Sequence, residues 1–224
     1  MAATAPDYGM TRLVGDVVAL LDHLGMPSAF VVGHDWGAAV AWNLALLAPA
    51  RVRKLVALQV PHPDAFARTF QSLAQLRASW YAWLFQSEAA DEVFAADRAR
   101  LLADFAFGPP GRRLLPDAVV ERYRDQFARS GRMTAGLNLY RANYRPDRLL
   151  RPARRARPVT VPTLYIYGDD DKAIMPDGAD ASGAYVSGEY HYARIQGASH
   201  WVQHERASEV NALLVEFLGA VSPY

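Results

Sequence analysis

The chain has 224 residues, 51% of them hydrophobic, enough for one large domain or a domain with an insertion. Its 24 basic residues are balanced by 23 acidic ones, so a net charge of +1 steers it toward neither nucleic acid nor an acidic membrane, and the lack of cysteine excludes disulfides, thiolate zinc sites and a cysteine nucleophile. No stretch approaches transmembrane length, and the start, Met1 to Asp7, lacks the charged and apolar regions of a signal peptide, so a cytoplasmic location is expected.

Residues 1–9 read as irregular. Apolar residues at Met10, Leu13, Val14, Val17, Val18, Leu21 and Leu24 have helical spacing, with Gly25 as the stop. Ala29 to Gly33 is a short buried strand, and it runs straight into His34-Asp35-Trp36-Gly37. Ala38 to Leu47 continues as a helix rich in alanine, small enough to lie close against a sheet, and Pro49 closes it. Lys54 to Val60 is a second strand, ending at Pro61-His62-Pro63. Strand, helix and strand in this order imply a right-handed parallel crossover. From about Asp64 to Arg148 the periodicity is helical with no convincing strand. This stretch holds the aromatic cluster Trp80, Tyr81, Trp83, Leu84 and Phe85, an Ala-, Asp- and Arg-rich segment from Ala89 to Phe107, a break at Pro109-Pro110-Gly111, and helices over Asp117 to Phe127 and Met133 to Tyr144. Arg148 to Pro162 is a Pro- and Arg-rich connector, better read as a solvated linker than as a phosphate site. Strands resume at Thr163 to Tyr167, ending at Gly168, and at Tyr190 to Ile195; Glu209 to Leu218 is a closing amphipathic helix.

The chemistry centres on Gly33-His34-Asp35-Trp36-Gly37. An apolar run ending in Gly-x-Asp-x-Gly, followed at once by a small-residue helix, places Asp35 at the tip of a sharp strand-to-helix turn beside the free backbone N–H of Trp36. Gly33 and Gly37 give room for the tight crossing. The bland alternative is that Asp35 only caps the helix. As a nucleophile, a carboxylate needs no deprotonation at neutral pH and attacks saturated carbon, opening an epoxide or displacing a halide. Release of the resulting ester takes water, a His base and a second acid. Gly168-Asp169-Asp170-Asp171 follows one later strand and Gly197-Ala198-Ser199-His200-Trp201 follows the last, giving the chain order nucleophile, acid, His. The two segments resemble the Gly-x-x-Asp and histidine-bearing segments of the α/β-hydrolase fold, and that resemblance implies Asp171 as the acid, with Asp169 or Asp170 in its place if the register slips by one, and His200 as the base. His23 and His204 lie in helical surface patterns and His191 in a strand.

These segments resemble the α/β-hydrolase fold, in the branch that holds epoxide hydrolases and haloalkane dehalogenases, over nearly the whole chain. The resemblance implies an α/β core with a mostly parallel sheet, incomplete at its N-terminal side, and an inserted all-helical cap: core over 1–61, cap over 62–157 and core again over 158–224. It gives His34 and His62 supporting roles in packing and loop shape. Within the cap, Ser79-Trp80-Tyr81-Ala82-Trp83 and Leu137-Asn138-Leu139-Tyr140-Arg141 resemble the epoxide hydrolase segments whose tyrosines donate to the oxygen of the opening ring. The alternative is that Tyr81 and Tyr140 merely pack cap helices.

The implied reaction runs in two steps. Asp35 attacks an epoxide carbon while Tyr81 and Tyr140 stabilise the opening oxygen. His200, oriented by Asp171, then activates the water that hydrolyses the ester, with the Trp36 N–H holding the oxyanion. The implied partners are a small apolar epoxide and water, with no metal, cofactor, nucleic acid or membrane. A dehalogenase, in which the Trp36 indole holds the leaving halide, and a non-catalytic remnant are the competing expectations. The family has two or three strands and a His-Gly-x-Pro-type loop before the first helix; this sequence has no His-Gly pair. The elbow strand is therefore expected to be a sheet edge, leaving a chain that is unstable, forms a homodimer across that edge, or needs the absent part. Loss of the loop's oxyanion donor is expected to cost ~10²–10³ in rate and to let an alkyl-enzyme accumulate.

Overall fold

The computed structural model describes residues 4–145, 149 and 158–219. The chain groups into two compact units, Met10–Ser79 with Pro146–Tyr224, and Met1–Gly9 with Trp80–Arg145.

The first unit is built on a four-stranded sheet of β1 (Ala29–His34), β2 (Val52–Leu58), β3 (Thr163–Gly168) and β4 (Tyr190–Ile195), in the order β1-β2-β3-β4 and parallel throughout. Parallel strands covered on both faces need apolar residues at successive positions. β2 from Leu55 to Leu58 and all of β3 are buried accordingly. Side chains alternate between two cores. Leu55, Ala57, Tyr165 and Tyr167 pack with Ala38, Ala41, Trp42 and Ala45 of α2 (Trp36–Leu47), whereas Val56, Leu58, Leu164 and Ile166 pack with Val202 and with Val210 of the C-terminal helix. β1 pairs only with β2 among the described residues, so it is an edge strand, and Val32 is 47% exposed.

Helix α1 (Met10–His23) buries Val14 and Leu21. It ends where Gly25 takes φ +66° and the Met26 N–H reaches the Leu21 carbonyl, a left-handed terminus that glycine adopts without a Cβ penalty. Gln59, with φ +66°, lies just past the end of β2 at Leu58, so the strand stops short of the expected Val60. Helices α3 (Pro63–Thr69) and α4 (Leu73–Ala78) fall in the sheet unit, and α3 packs on α9 (Pro176–Ala181). The expected boundary of the helical insertion at residue 62 thus lies before these helices, whereas the second compact unit begins at Trp80. Helices α10 (Val202–Glu205) and α11 (Ala207–Leu218) close the chain.

The second unit comprises α5 (Trp80–Leu84), α6 (Ala90–Phe107), α7 (Asp117–Phe127) and α8 (Arg132–Asn143). Its core is Phe85, Ala90, Phe94, Ala99, Met133 and Leu137, with Tyr81 and Tyr140 packed against it. Two details depart from the sequence reading. Ala5–Tyr8 is a short 3-10 helix rather than irregular chain; the Thr4 N–H and hydroxyl bond the Asp7 carboxylate at 2.8 and 3.0 Å, and Asn143 of α8 donates to the Tyr8 carbonyl at 2.9 Å. Helix α6 is broken at residues 96–99, where Asp97, Arg98 and Ala99 have positive φ. The connector expected from Arg148 lies outside the described residues as far as Arg157, apart from Leu149. No helix among the described residues is long and apolar enough to cross a membrane.

Candidate active site

Asp35 sits between the C-terminal end of β1 and the first turn of α2, with φ +53° and ψ −124°. A non-glycine residue there is strained, and such strain persists only where surrounding packing fixes it. The packing is visible at Gly33: a Cβ there would lie 2.2 Å from the Gly37 carbonyl oxygen, so the strand and the helix cross through space that only glycine leaves. Gly37 itself is not needed for room, since a Cβ on it would meet nothing within 4 Å. The Trp36 N–H donates to Asp35 Oδ1. That bond has a capping character, yet the carboxylate keeps 33% side-chain exposure and its second oxygen points to a histidine.

His200 lies in the loop after β4. Its Nε2 is 2.9 Å from Asp35 Oδ2 and its Nδ1 is 2.8 Å from Asp171 Oδ2. Carboxylates that only accept on both sides favour the ring form with hydrogen on both nitrogens, the imidazolium. Burial alone would lower the pKa of His200; the hydrogen bonds to Asp171 and Asp35, with their charges, outweigh it and raise it to about 10. Burial would likewise raise the pKa of Asp35, but the bond and charge of His200, with His34 and the Trp36 N–H, hold it below the usual carboxylate range. The Asp171 side chain is fully buried, and its Oδ1 accepts from the N–H groups of Ala173 and Ile174 at 2.7 and 3.1 Å. The two neighbouring acids face elsewhere: Asp169 accepts from Gly197 N–H at 2.7 Å, and Asp170 pairs with Lys172.

Asp35, the Trp36 N–H, Asp171 and His200 therefore meet at the C-terminal ends of β1, β3 and β4. In the helical unit, Tyr81 and Tyr140 lie together, ring centroids 5.9 Å apart and edge to face, in a cluster with Phe85.

Several supporting residues escaped the sequence reading. Gln59 bonds the loops of both the acid and the histidine, its Nε2 donating to the Ser199 carbonyl and its Oε1 accepting from Gly168 N–H, each at 2.7 Å. A polar residue closing an otherwise apolar buried strand was its only signal. Gln75 is fully buried in α4 and holds the far end of the acid loop through the Ala173 carbonyl at 2.8 Å and the Met175 N–H at 3.0 Å. Glu205 accepts from the hydroxyl and N–H of Ser199. His34, expected to support packing and loop shape, places its Nε2 2.8 Å from the His200 carbonyl oxygen, and burial followed by the His200 charge lowers its pKa.

A family described as alpha/beta hydrolase fold matches residues 1–207. The chain is 35% identical to Epoxide hydrolase A of Mycobacterium tuberculosis, over 94% of this chain and 75% of that protein. It is 29% identical to Epoxide hydrolase 2 of Caenorhabditis elegans, over 95% of this chain and 60% of that one. An epoxide hydrolase of Bacillus megaterium, solved in complex with an inhibitor, superposes with a TM-score of 0.87 at 29% identity, covering 96% of this chain and 78% of that chain. Epoxide Hydrolase A from Mycobacterium thermoresistibile superposes with a TM-score of 0.76 at 30% identity, covering 97% and 77%. The chain belongs to the α/β-hydrolase fold family, in its epoxide hydrolase branch, and is an enzyme of the hydrolase type.

Proposed function

We propose that the chain converts a small apolar epoxide and water to a diol through an ester on Asp35. The observation that carries this reading is the imidazole ring of His200 held between Asp35 Oδ2 at 2.9 Å and Asp171 Oδ2 at 2.8 Å, with the first of these carboxylates on a strained turn. The two epoxide hydrolases of M. tuberculosis and C. elegans, of whose lengths the chain spans 75% and 60%, support the substrate class.

In the first step Asp35 Oδ2 bonds to an epoxide carbon and the C–O bond breaks. The resemblance assigns Tyr81 and Tyr140 to donate hydrogen bonds to the freed oxygen, which ends as a hydroxyl while the His200 imidazolium gives up its proton. Esterification removes the Asp35 charge, one of the two that hold His200 protonated, so the base is set free when the ester forms. In the second step neutral His200 takes a proton from water, and the hydroxide adds to the ester carbonyl. Asp35 Oδ1, already bonded to the Trp36 N–H, carries the oxyanion. Collapse returns the Asp35 carboxylate and the imidazolium and releases the diol, one water being consumed in all.

Diol formation from an aryl epoxide tests the reading. Asp35→Ala is expected to abolish it, and His200→Gln to stop at a protein heavier by the mass of one substrate. Substantial diol from Asp35→Ala would refute the assignment. Chloride release from a haloalkane, with no diol from any epoxide, would favour the dehalogenase.

A further inference from the structure

We infer that Gln59 is a positioning residue that sets the imidazole of His200 against Asp35 and Asp171 by tying the acid loop and the histidine loop to the end of β2. Its carboxamide reaches both loops at once. Nε2 donates to the Ser199 carbonyl, which belongs to the peptide bond entering His200, and Oε1 accepts from Gly168 N–H, three residues before Asp171. Its backbone is fixed as well. The Gln59 N–H donates to the Ile166 carbonyl at 2.9 Å, and the Gln59 carbonyl accepts from the Tyr165 hydroxyl at 2.6 Å. Gln59 is fully buried and has φ +66°, a conformation that costs free energy in any residue with a Cβ and is retained where the surroundings over-determine it.

The two loops it joins are in direct contact. A Cβ on Gly168 would fall 2.6 Å from the Ala198 carbonyl oxygen and 2.8 Å from that of Ser199, and Asp170 N–H bonds the Ala198 carbonyl at 2.9 Å. Only a side chain with one donor and one acceptor at this reach can satisfy both loops. Leucine or methionine would leave a buried N–H and a buried carbonyl unpaired, and the loops would relax to find new partners. Because the Ser199–His200 peptide plane sets the direction of the His200 Cα–Cβ bond, a rotation there moves the ring off one carboxylate.

The test is Gln59→Met, with Gln59→Asn, which keeps the carboxamide but is one methylene short, as the second variant. In ¹⁵N-histidine-labelled protein the His200 ring should stay protonated to about pH 10 in the parent chain. It should titrate lower by about one unit or more in Gln59→Met, since a ring that loses contact with a carboxylate loses the cause of its shift. This readout is independent of the substrate. A second readout rests on the ester mechanism proposed above. In rapid-quench mass measurements with an epoxide, hydrolysis of the ester should slow by about 10-fold or more in Gln59→Met, while its formation, which needs Asp35 but no base, changes by less than about threefold. Gln59→Asn should fall between the two and carries both measurements if Gln59→Met does not fold. A purely structural role would lower the melting temperature and leave the His200 titration and the ratio of the two steps as they are, and that result overturns the inference. If the parent chain forms neither ester nor diol, the ester reading fails and the titration alone decides the role of Gln59.

Discussion

His62 and His200 are buried imidazoles pushed in opposite directions. His62 is fully buried between Trp42 and the stacked ring of Tyr185, and its Nδ1 accepts from Asp64 N–H. Burial lowers its pKa to about 4. The unfolded chain, near the ordinary histidine value of about 6.5, binds that proton more readily, so the stabilisation is complete above ~pH 6.5 and is lost as pH falls through 4, ~3 kcal/mol in all. For His200, raised to about 10, the stabilisation is present below ~6.5 and is lost as pH rises through 10. Melting temperature should therefore fall on both sides of a maximum near pH ~6.5. His62→Asn should flatten the limb between ~6.5 and ~4, and a limb unchanged by that substitution would contradict the assignment. Gly33→Ala should be far more damaging than Gly37→Ala, because only the first drives a methyl into backbone; circular-dichroism melts of the two chains check this. At this scale the grouping of Asp35, Asp171 and His200 was legible in the sequence. Asp35, Asp171 and His200 follow strands in a fixed order, and glycines announce the turns. Gln59 and Gln75 were not legible, because a glutamine bonded to two distant backbones looks, in sequence, like any glutamine.

Among the elements, the break in α6 is the clearest case of long-range contacts overruling local pattern. Three consecutive residues, Asp97, Arg98 and Ala99, adopt left-handed geometry that costs each about 1 kcal/mol or more. Arg124 of α7 offsets part of that cost by donating to the carbonyls of Asp97 at 2.8 Å and Arg98 at 3.2 Å. Arg98 in turn pairs with Asp125 and Glu121. Arg124→Met should therefore destabilise the chain by ~2 kcal/mol, since charged donors to backbone carbonyls are worth more than exposed ion pairs; denaturant unfolding measures it, and a change below ~0.5 kcal/mol would contradict the clamp. Helical periodicity covered this segment without interruption, because nothing in Ala96-Asp97-Arg98-Ala99 signals a turn. The strands were legible to within two residues, since buried parallel strands are short apolar runs bounded by glycine and proline.

At the scale of the whole molecule, each unit satisfies itself: the sheet buries apolar residues on both faces, and the helical unit has its own aromatic core. The edge position of β1 leaves the strand that leads into Asp35 with one sheet neighbour among the described residues. Edge-to-edge self-association, one of the three outcomes expected from the sequence beside instability and dependence on an absent part, is measured by sedimentation velocity, and a monomer at every concentration would contradict it. The fold family was legible because its signals are local, an elbow and two loops at strand ends. The extent of the helical unit was less so, because α3 and α4 share the helical periodicity of α5 and α6, and only their contacts place them with the sheet.

The proposed mechanism requires carbon to be bonded to Asp35 before water enters. A single turnover in H₂¹⁸O with enzyme in excess over epoxide measures this most directly. Water attacking the ester carbonyl should leave ¹⁸O in the carboxylate of Asp35, found by peptide mass, and release an unlabelled diol. Label in the diol of that first turnover, with none in Asp35, would mean that water attacks the epoxide itself and that Asp35 is no nucleophile.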